Sequence, residues 1–237
     1  MEKTRYDRTR MLVGEDGFAR LRSGRVLIFG VGGVGGYAAE ALARTGIGTI
    51  GLVDDDTVDV TNLNRQIIAL ESTLGLPKVN VMKDRIAGID PETEVAAFHR
   101  RLTAETLESF DLSAWDYIVD AIDDVAAKVL LAEEAVRLGI PMIASMGTGN
   151  KLDPSRLKVM DISKTHTCPL AKKVRKELRD RGIHHLKVIF SDEPPYRTGG
   201  VSSVAFVPGA AGLLIASEVV KDLLQKDEKP LQDVATE

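Results

Sequence analysis

Gly30-Val-Gly-Gly-Val-Gly35 has a spacing that can bind phosphate. It follows a short apolar run, Arg25-Val-Leu-Ile-Phe, and precedes an alanine-rich segment, Val34 to Arg44, that reads as a helix. Strand, glycine turn and helix form the context this motif needs. Gly30, Gly32, Gly33 and Gly35 permit a tight turn and let backbone amides approach an anion, which the helix N-terminus favours. Asp54 closes the next apolar run, Thr49-Ile-Gly-Leu-Val, where a carboxylate can bond ribose hydroxyls. These residues point to a nucleotide, and taken alone they favour NAD; a glycine turn without a ligand is the bland alternative.

The residues after Asp54 shift the reading toward a triphosphate. Asp56, Asn62, Arg65 and Gln66 follow in one segment, and Gly-Leu-Pro-Lys78 comes shortly after. A dinucleotide already seated on the helix needs no such cations. Asn62, Arg65 and Lys78 beside the same pocket supply donors for three phosphates and for charge on a transferring phosphoryl group. Farther on, Asp120-Ala-Ile-Asp123 puts two acids at the carboxyl edge of a sheet, where doubly wound folds bind ligands. Asp123 together with phosphate oxygens can hold Mg2+. Singly, Arg65 and Lys78 read equally well as solvated surface charge, and Asp123 as a helix N-cap. Their joint occurrence favours a site.

The elements that must position these residues alternate. Strands are expected over Arg25 to Gly30, Thr49 to Asp54, Glu94 to Phe98, Tyr117 to Ile122 and Pro141 to Ser145, with helices over Lys78 to Ile89 and Val125 to Leu138 between them. That alternation predicts βαβ units and an α/β, Rossmann-like, doubly wound and mostly parallel sheet. Beyond Gly147 comes a C-terminal strand and helix extension. Strands are expected at Leu157 to Asp161, Lys187 to Phe190 and Val201 to Val207 around a charged helix. An apolar helix then runs from about Gly209 to Leu224, and the tail from Gln225 is polar. The whole chain, 1–237, reads as one unit, with a nucleotide-binding part at about 20–147 and a substrate and dimer part at about 148–225.

Composition narrows the class. Apolar residues make up 44% of 237 and charged residues 28%, with a net charge of −4, as in an ordinary globular chain. The single cysteine, Cys168, excludes an internal disulfide and any paired-cysteine zinc site. The charged N-terminus does not read as a signal peptide, and no run is long enough for a membrane span, so a cytoplasmic protein is expected.

The succession G-x-G-G-x-G, D-x-D, N-x-x-R-Q, P-K-V and D-x-x-D, spread over Arg5 to Asp124, resembles the ubiquitin-activating superfamily with its ThiF and MoeB relatives. Val207-Pro-Gly-Ala-Ala-Gly212 is similar to that family's C-terminal element. The resemblance implies an adenylating enzyme that uses ATP and Mg2+. It makes Asp54 the ribose-binding acid, Asn62, Arg65, Gln66 and Lys78 the triphosphate and catalytic positions, and Asp123 the metal-binding acid. Arg5-Tyr-Asp-Arg8 resembles the family's R-Y-x-R, from which an arginine reaches the partner subunit's ATP; it implies a homodimer with Arg8 acting across it. A basic, disordered terminus is the competing reading of Arg8.

Members that activate sulfur carriers commonly have two C-x-x-C pairs for zinc, which this chain lacks. Its length and the segment Lys164-Thr-His-Thr-Cys168-Pro-Leu-Ala-Lys-Lys-Val-Arg-Lys instead resemble the tRNA threonylcarbamoyladenosine dehydratases. That resemblance implies adenylation of the threonyl carboxylate, then attack by the substrate's own carbamoyl group and loss of AMP. An internal nucleophile profits from proximity and needs no catalytic cysteine. A thioester at Cys168 is the alternative, and a plain helix-start residue is preferred.

Lys164 to Lys187 carries eight basic residues against Glu177 and Asp180. This local +6 lies in a chain of net −4, so the remainder stands at −10. Lys172, Lys173, Arg175, Lys176 and Arg179 are therefore expected to contact tRNA phosphates, although most such runs are solvated surface. An adenylyltransferase acting on a ubiquitin-like sulfur carrier, with a carrier or sulfur-transfer partner, shares every ATP residue and stays open. So do an NAD-binding oxidoreductase and a non-catalytic nucleotide-binding module. Ser191 to Gly200 reads as a lid or as a plain loop.

Overall fold

Apolar runs of four or five residues separated by helix-length segments bury both of their faces when helices cover a parallel sheet on each side. That is the arrangement in the computed structural model, which describes residues 3–225. β1 (Arg25–Phe29), β2 (Thr49–Val53), β3 (Glu94–Phe98), β4 (Tyr117–Asp120), β5 (Met142–Ser145), β6 (Leu157–Asp161) and β7 (Lys187–Ser191) form one sheet in the order β3-β2-β1-β4-β5-β7-β6. Every neighbouring pair is parallel except β6 with β7. The helices are α1 (Asp7–Ser23), α2 (Gly35–Thr45), α3 (Lys78–Ile89), α4 (Val125–Leu138), α5 (Pro169–Asp180) and α6 (Phe206–Gln225).

Alternation along β1 shows the two layers. Val26 and Ile28 join a core with Leu42 of α2, Ile86 of α3 and Ile215 of α6. Leu27 and Phe29 point the other way, into a core with Val129 of α4, Val174 and Leu178 of α5, and Phe110. β2 and β3 lie to one side of β1, and β4 and β5 to the other. The strand order therefore reverses between β1 and β4, and at their carboxyl ends such sheets open a crevice.

α6 packs against α2 at very close range. A Cβ at Gly212 would lie 2.3 Å from the Val34 carbonyl oxygen, so only glycine fits there. This contact explains the small residues of Val207 to Gly212 and ties the C-terminal helix to the helix that follows the glycine turn.

One expectation requires correction. Val201 to Val207 is not a strand: the backbone is irregular through Ala205, and α6 begins at Phe206. β7 already pairs with β5 on one side and β6 on the other, so no sheet edge is left there for the valines. Pro208 falls in the first helical turn, where its missing N–H costs nothing. At the other end the charged N-terminal stretch is helical. It kinks at Gly14 (φ 74°) and buries Gly17, Phe18 and Leu21. The polar tail beyond Gln225 lies outside the described residues.

Asp90, which follows α3, anchors α1. Its buried carboxylate accepts hydrogen bonds from Arg5 Nη1 (3.1 Å), Tyr6 OH (2.8 Å), Arg22 Nη1 (2.8 Å), Thr93 Oγ1 (3.1 Å) and the Glu92 amide (3.1 Å). Burial alone would raise its pKa, but the bonds from Tyr6, Glu92 and Thr93 with the Arg22 charge outweigh it and hold the carboxyl below the usual 3.8. A depressed folded-state pKa adds stability that is present above the unfolded value and lost as pH falls through the folded one. Asp90→Asn is therefore expected to lower unfolding free energy at pH 7 by roughly 1.5–3 kcal/mol. In urea melts the gap to the parent should close as pH falls below 3.8.

Candidate active site

The crevice at the switch point is a cavity of about 860 Å³. Its floor is the turn from β1 to α2. Gly30 adopts φ 87°, and a Cβ on Gly35 would sit 1.8 Å from the Gly30 carbonyl oxygen. The turn can close this tightly only without side chains. Gly30, Gly32 and Gly33 line the cavity, while Gly35 is the buried first residue of α2 beneath it.

Asp54, just past β2, is bound to that turn. Its Oδ2 accepts from the Val31 amide (2.6 Å) and its Oδ1 from the Asp56 amide (2.9 Å). Burial holds its carboxyl above the usual carboxylate range, opposed by those two amides and by Lys78. The acid expected to meet ribose thus also fixes the glycine turn. Asp55 and Asp56 bring further carboxylate oxygens within 4.8 Å of one another and of Asp54. The trio is partly engaged already, because Lys78 Nζ donates to Asp56 Oδ2 at 2.6 Å. Lys78 opens α3 and is nearly buried, so its ammonium is held at the cavity wall by an exposed partner.

Asn62 ends a short helical turn, Val60–Asn62, capped by Asp59. Its Oδ1 accepts from the Asp59 amide (3.1 Å), and its side-chain amide N–H groups have no hydrogen bond among the described residues. Arg65 Nη1 donates to the Thr61 carbonyl (2.7 Å) and Asn64 Oδ1 (2.9 Å), which orient the guanidinium at the rim. Gln66 is buried, and its Oε1 is the sole buried side-chain polar atom without a partner among the described residues. An orphan acceptor in a cavity wall calls for a donor from a ligand.

Asp123 lies in the turn after β4, exposed at the cavity and without a hydrogen bond or ion pair among the described residues. The N-cap of α4 is Asp124 instead, accepting from the Ala127 amide at 2.9 Å. Asp120, the first acid of that motif, is fully buried. Its Oδ2 receives Lys128 Nζ (2.9 Å) and its Oδ1 the Ile122 amide (3.0 Å), while the same Nζ donates to the Ser145 carbonyl (2.7 Å). Burial raises the Asp120 carboxyl, against Lys128 and the Ile122 amide. The pair holds the ends of β4 and β5 together and sets the turn that carries Asp123.

Gly30, Gly32, Gly33, Asp54, Asp56, Asn62, Arg65, Gln66, Lys78 and Asp123 therefore share one cavity. Arg8 does not line it; Arg8 is exposed on α1, whose start is docked on Asp90 through Arg5 and Tyr6. Cys168 is buried in the wall at the N-cap of α5, where its Sγ accepts from the Ala171 amide at 3.5 Å. Lys172, Lys173, Lys176 and Arg179 are exposed on α5. Arg175 differs, donating to the Thr165 carbonyl (2.7 Å) and hydroxyl (2.6 Å) within the fold. The stretch after β7 is tied down. Asn150, at φ 58°, donates its backbone N–H to the Ser202 carbonyl and its side-chain amide to the Gly200 carbonyl. Its carbonyl receives the Tyr196 amide.

Sequence reading missed Arg100, Arg101 and Lys151, all of which line the cavity. The two arginines follow β3 after His99, at the same sheet edge as Asp54, and that placement was the available signal. Arg101 lies 3.7 Å from Asp124 across the mouth.

The fold and this site define an α/β nucleotide-binding protein of the adenylating type. The ThiF family profile matches residues 6–236, and the chain belongs to the ThiF family. It is 47% identical to the tRNA threonylcarbamoyladenosine dehydratase of Bacillus subtilis, over 94% of this chain and 96% of that one. With the Escherichia coli protein of the same name it shares 41% identity, over 76% of this chain and 68% of the relative. The solved E. coli dehydratase in complex with ATP superposes with a TM-score of 0.89 at 36% identity, covering 94% of each chain. The complex with AMP gives a TM-score of 0.91 at 35% identity, covering 95% of this chain and 96% of that one.

Removing one member of the buried Lys128–Asp120 pair strands a charge. Lys128→Met is expected to lower stability by roughly 3–5 kcal/mol. A Lys128→Met/Asp120→Leu double variant should recover most of it in thermal or urea melts.

Proposed function

We propose that this protein catalyses the ATP-dependent dehydration of threonylcarbamoyladenosine in tRNA, by adenylation followed by ring closure. The observation that carries the reading is the convergence of Arg65, Lys78, Asp123 and the unpartnered Gln66 Oε1 on the cavity built over the glycine turn. The high identity along nearly all of the chain to a dehydratase supports this substrate over a sulfur carrier. Relatives solved with ATP and AMP support ATP over NAD.

In this reading the free carboxylate of the threonyl group attacks the α-phosphate, and pyrophosphate leaves. The amides of the glycine turn and the helix dipole hold the phosphates, Asp54 meets the ribose, and Arg65 and Lys78 offset the charge that develops. Asp123 is the residue to hold Mg2+, since its carboxylate is exposed at the cavity and unengaged among the described residues; the ion would supply further charge neutralisation. The remaining step, attack of the carbamoyl nitrogen on the activated carbonyl, is intramolecular and so favoured by proximity.

Arg8, exposed on α1 and outside the lining of its own cavity, suits a homodimer in which it reaches the partner's ATP. The parts at 20–147 and 148–225 act as one adenylation unit. The exposed charges of α5, whose N-terminal residues Pro169 and Leu170 border the cavity, meet tRNA phosphates. No described helix is long and apolar enough to cross a membrane, and a cytoplasmic setting, where tRNA is found, suits the reaction.

The direct test is release of AMP and pyrophosphate from ATP with Mg2+, with and without tRNA bearing threonylcarbamoyladenosine. Release that depends on this tRNA, with loss of one water from the nucleoside by mass, is expected, and Lys78→Ala or Arg65→Ala should reduce it by about 100-fold or more while leaving the fold intact. Release without tRNA but with an added ubiquitin-like carrier would replace this function by carrier adenylation. Replacing Lys172, Lys173, Lys176 and Arg179 by alanine should weaken tRNA binding across sequences. It should also flatten the salt dependence of binding, by about one unit of log–log slope for each phosphate no longer neutralised.

A further inference from the structure

The cavity over the glycine turn is also lined by Gly147–Lys151, Cys168–Leu170, Pro195 and Val201. An acyl group joined to the α-phosphate must extend into space of this kind. Lys151 is in its wall and only 4% exposed.

Three lysines are buried among the described residues: Lys78, Lys128 and Lys151. Lys78 has the Asp56 carboxylate and Lys128 the Asp120 carboxylate as a direct partner. Lys151 has none within ion-pair distance among the described residues. Its Nζ donates to the Glu193 main-chain carbonyl. The Glu193 carboxylate faces elsewhere, accepting the Leu152 amide (3.1 Å) and the Asp153 amide (3.0 Å). A primary amine that donates one N–H and is buried without a counter-ion keeps a usable lone pair when neutral. Burial pushes the amine below the usual lysine range, opposed by Cys168, Glu193 and Asp192 and aided by Arg156. These are the charged and titratable groups that act on it from the neighbouring elements.

The geometry points to Lys151 as the catalytic base of ring closure, an inference that rests on the dehydratase reading above. In that step the carbamoyl nitrogen attacks the acyl carbon of the adenylate. The new C–N bond forms as the bond from that carbon to the phosphate oxygen breaks. The nitrogen's proton passes to the neutral Nζ of Lys151, AMP departs with the bonding pair, and the ammonium returns the proton to water. Adenylation needs no base, because the attacking carboxylate is already ionised.

Lys151→Met and Lys151→Arg separate the two half-reactions in the full-length protein, with ATP, Mg2+ and tRNA bearing threonylcarbamoyladenosine. In a single turnover, both variants should release pyrophosphate within about threefold of wild type, which also shows that they fold and bind both substrates. Formation of the cyclic nucleoside should fall by about 100-fold or more. Arginine should not rescue it, because a guanidinium stays protonated. Wild-type ring closure should rise with pH as Lys151 loses its proton, and this rise should be absent in Lys151→Arg. Ring closure at the wild-type rate in either variant would overturn the assignment, as would equal loss of pyrophosphate release and cyclisation in both. A wild-type protein that releases no pyrophosphate with this tRNA would instead remove the dehydratase reading, and the assignment with it.

Discussion

The tight contact between Gly30 and Gly35 is the constraint from which the rest of the site follows. With no room for a side chain at Gly35, α2 starts almost on top of the β1 carboxyl end. The same turn lies against the exit of β4, since a Cβ on Gly30 would come within 2.7 Å of the Ala121 carbonyl oxygen. Three elements are thus brought to one point, and the backbone amides there face an open crevice. Asp54 then fastens β2 to the turn through the Val31 amide, so a residue suited to ribose also preserves the shape that phosphate requires.

Buried charge is used in two ways around this turn. Lys128 and Asp120 neutralise each other and join β4 to β5, which makes the pair structural and leaves Asp123 as the exposed acid. Lys78 is buried but held by an exposed carboxylate, so its charge remains available at the cavity wall. A low-dielectric wall strengthens such a charge toward phosphate, and tethering it in advance limits reorganisation during the reaction. The C-terminal part supplies the other wall. Asn150 gathers the stretch after β7, and α6 locks that part to α2 through Gly212.

Much of this was legible in the chain. The helices Lys78–Ile89 and Val125–Leu138 and the strands Glu94–Phe98 and Leu157–Asp161 have the bounds expected of them, because glycines, prolines and aspartates punctuate them clearly. The spurious strand at Val201 to Val207 shows the limit of such reading. Its valines have strand propensity, but propensity does not say whether a sheet edge is free. Helix α1 was hidden for the opposite reason: Gly14 and Gly17 interrupt its pattern, and it is held by Asp90, more than sixty residues from its last turn.

What the sequence by itself determined is the local chemistry: a glycine turn after a strand, an acid one strand later, and cations at spacings suited to phosphate. These depend on residues near one another in the chain, where steric and capping rules act directly. Only the tertiary structure decided which of two nearby acids faces the cavity, that Arg175 is engaged with Thr165 while its basic neighbours on α5 are exposed, and that Lys151 is buried with no carboxylate at ion-pair distance among the described residues. Those outcomes turn on burial and on partners distant in sequence, such as Ser145 for Lys128 and Glu193 for Lys151. Desolvation is a property of the packed molecule, and no segment carries it alone.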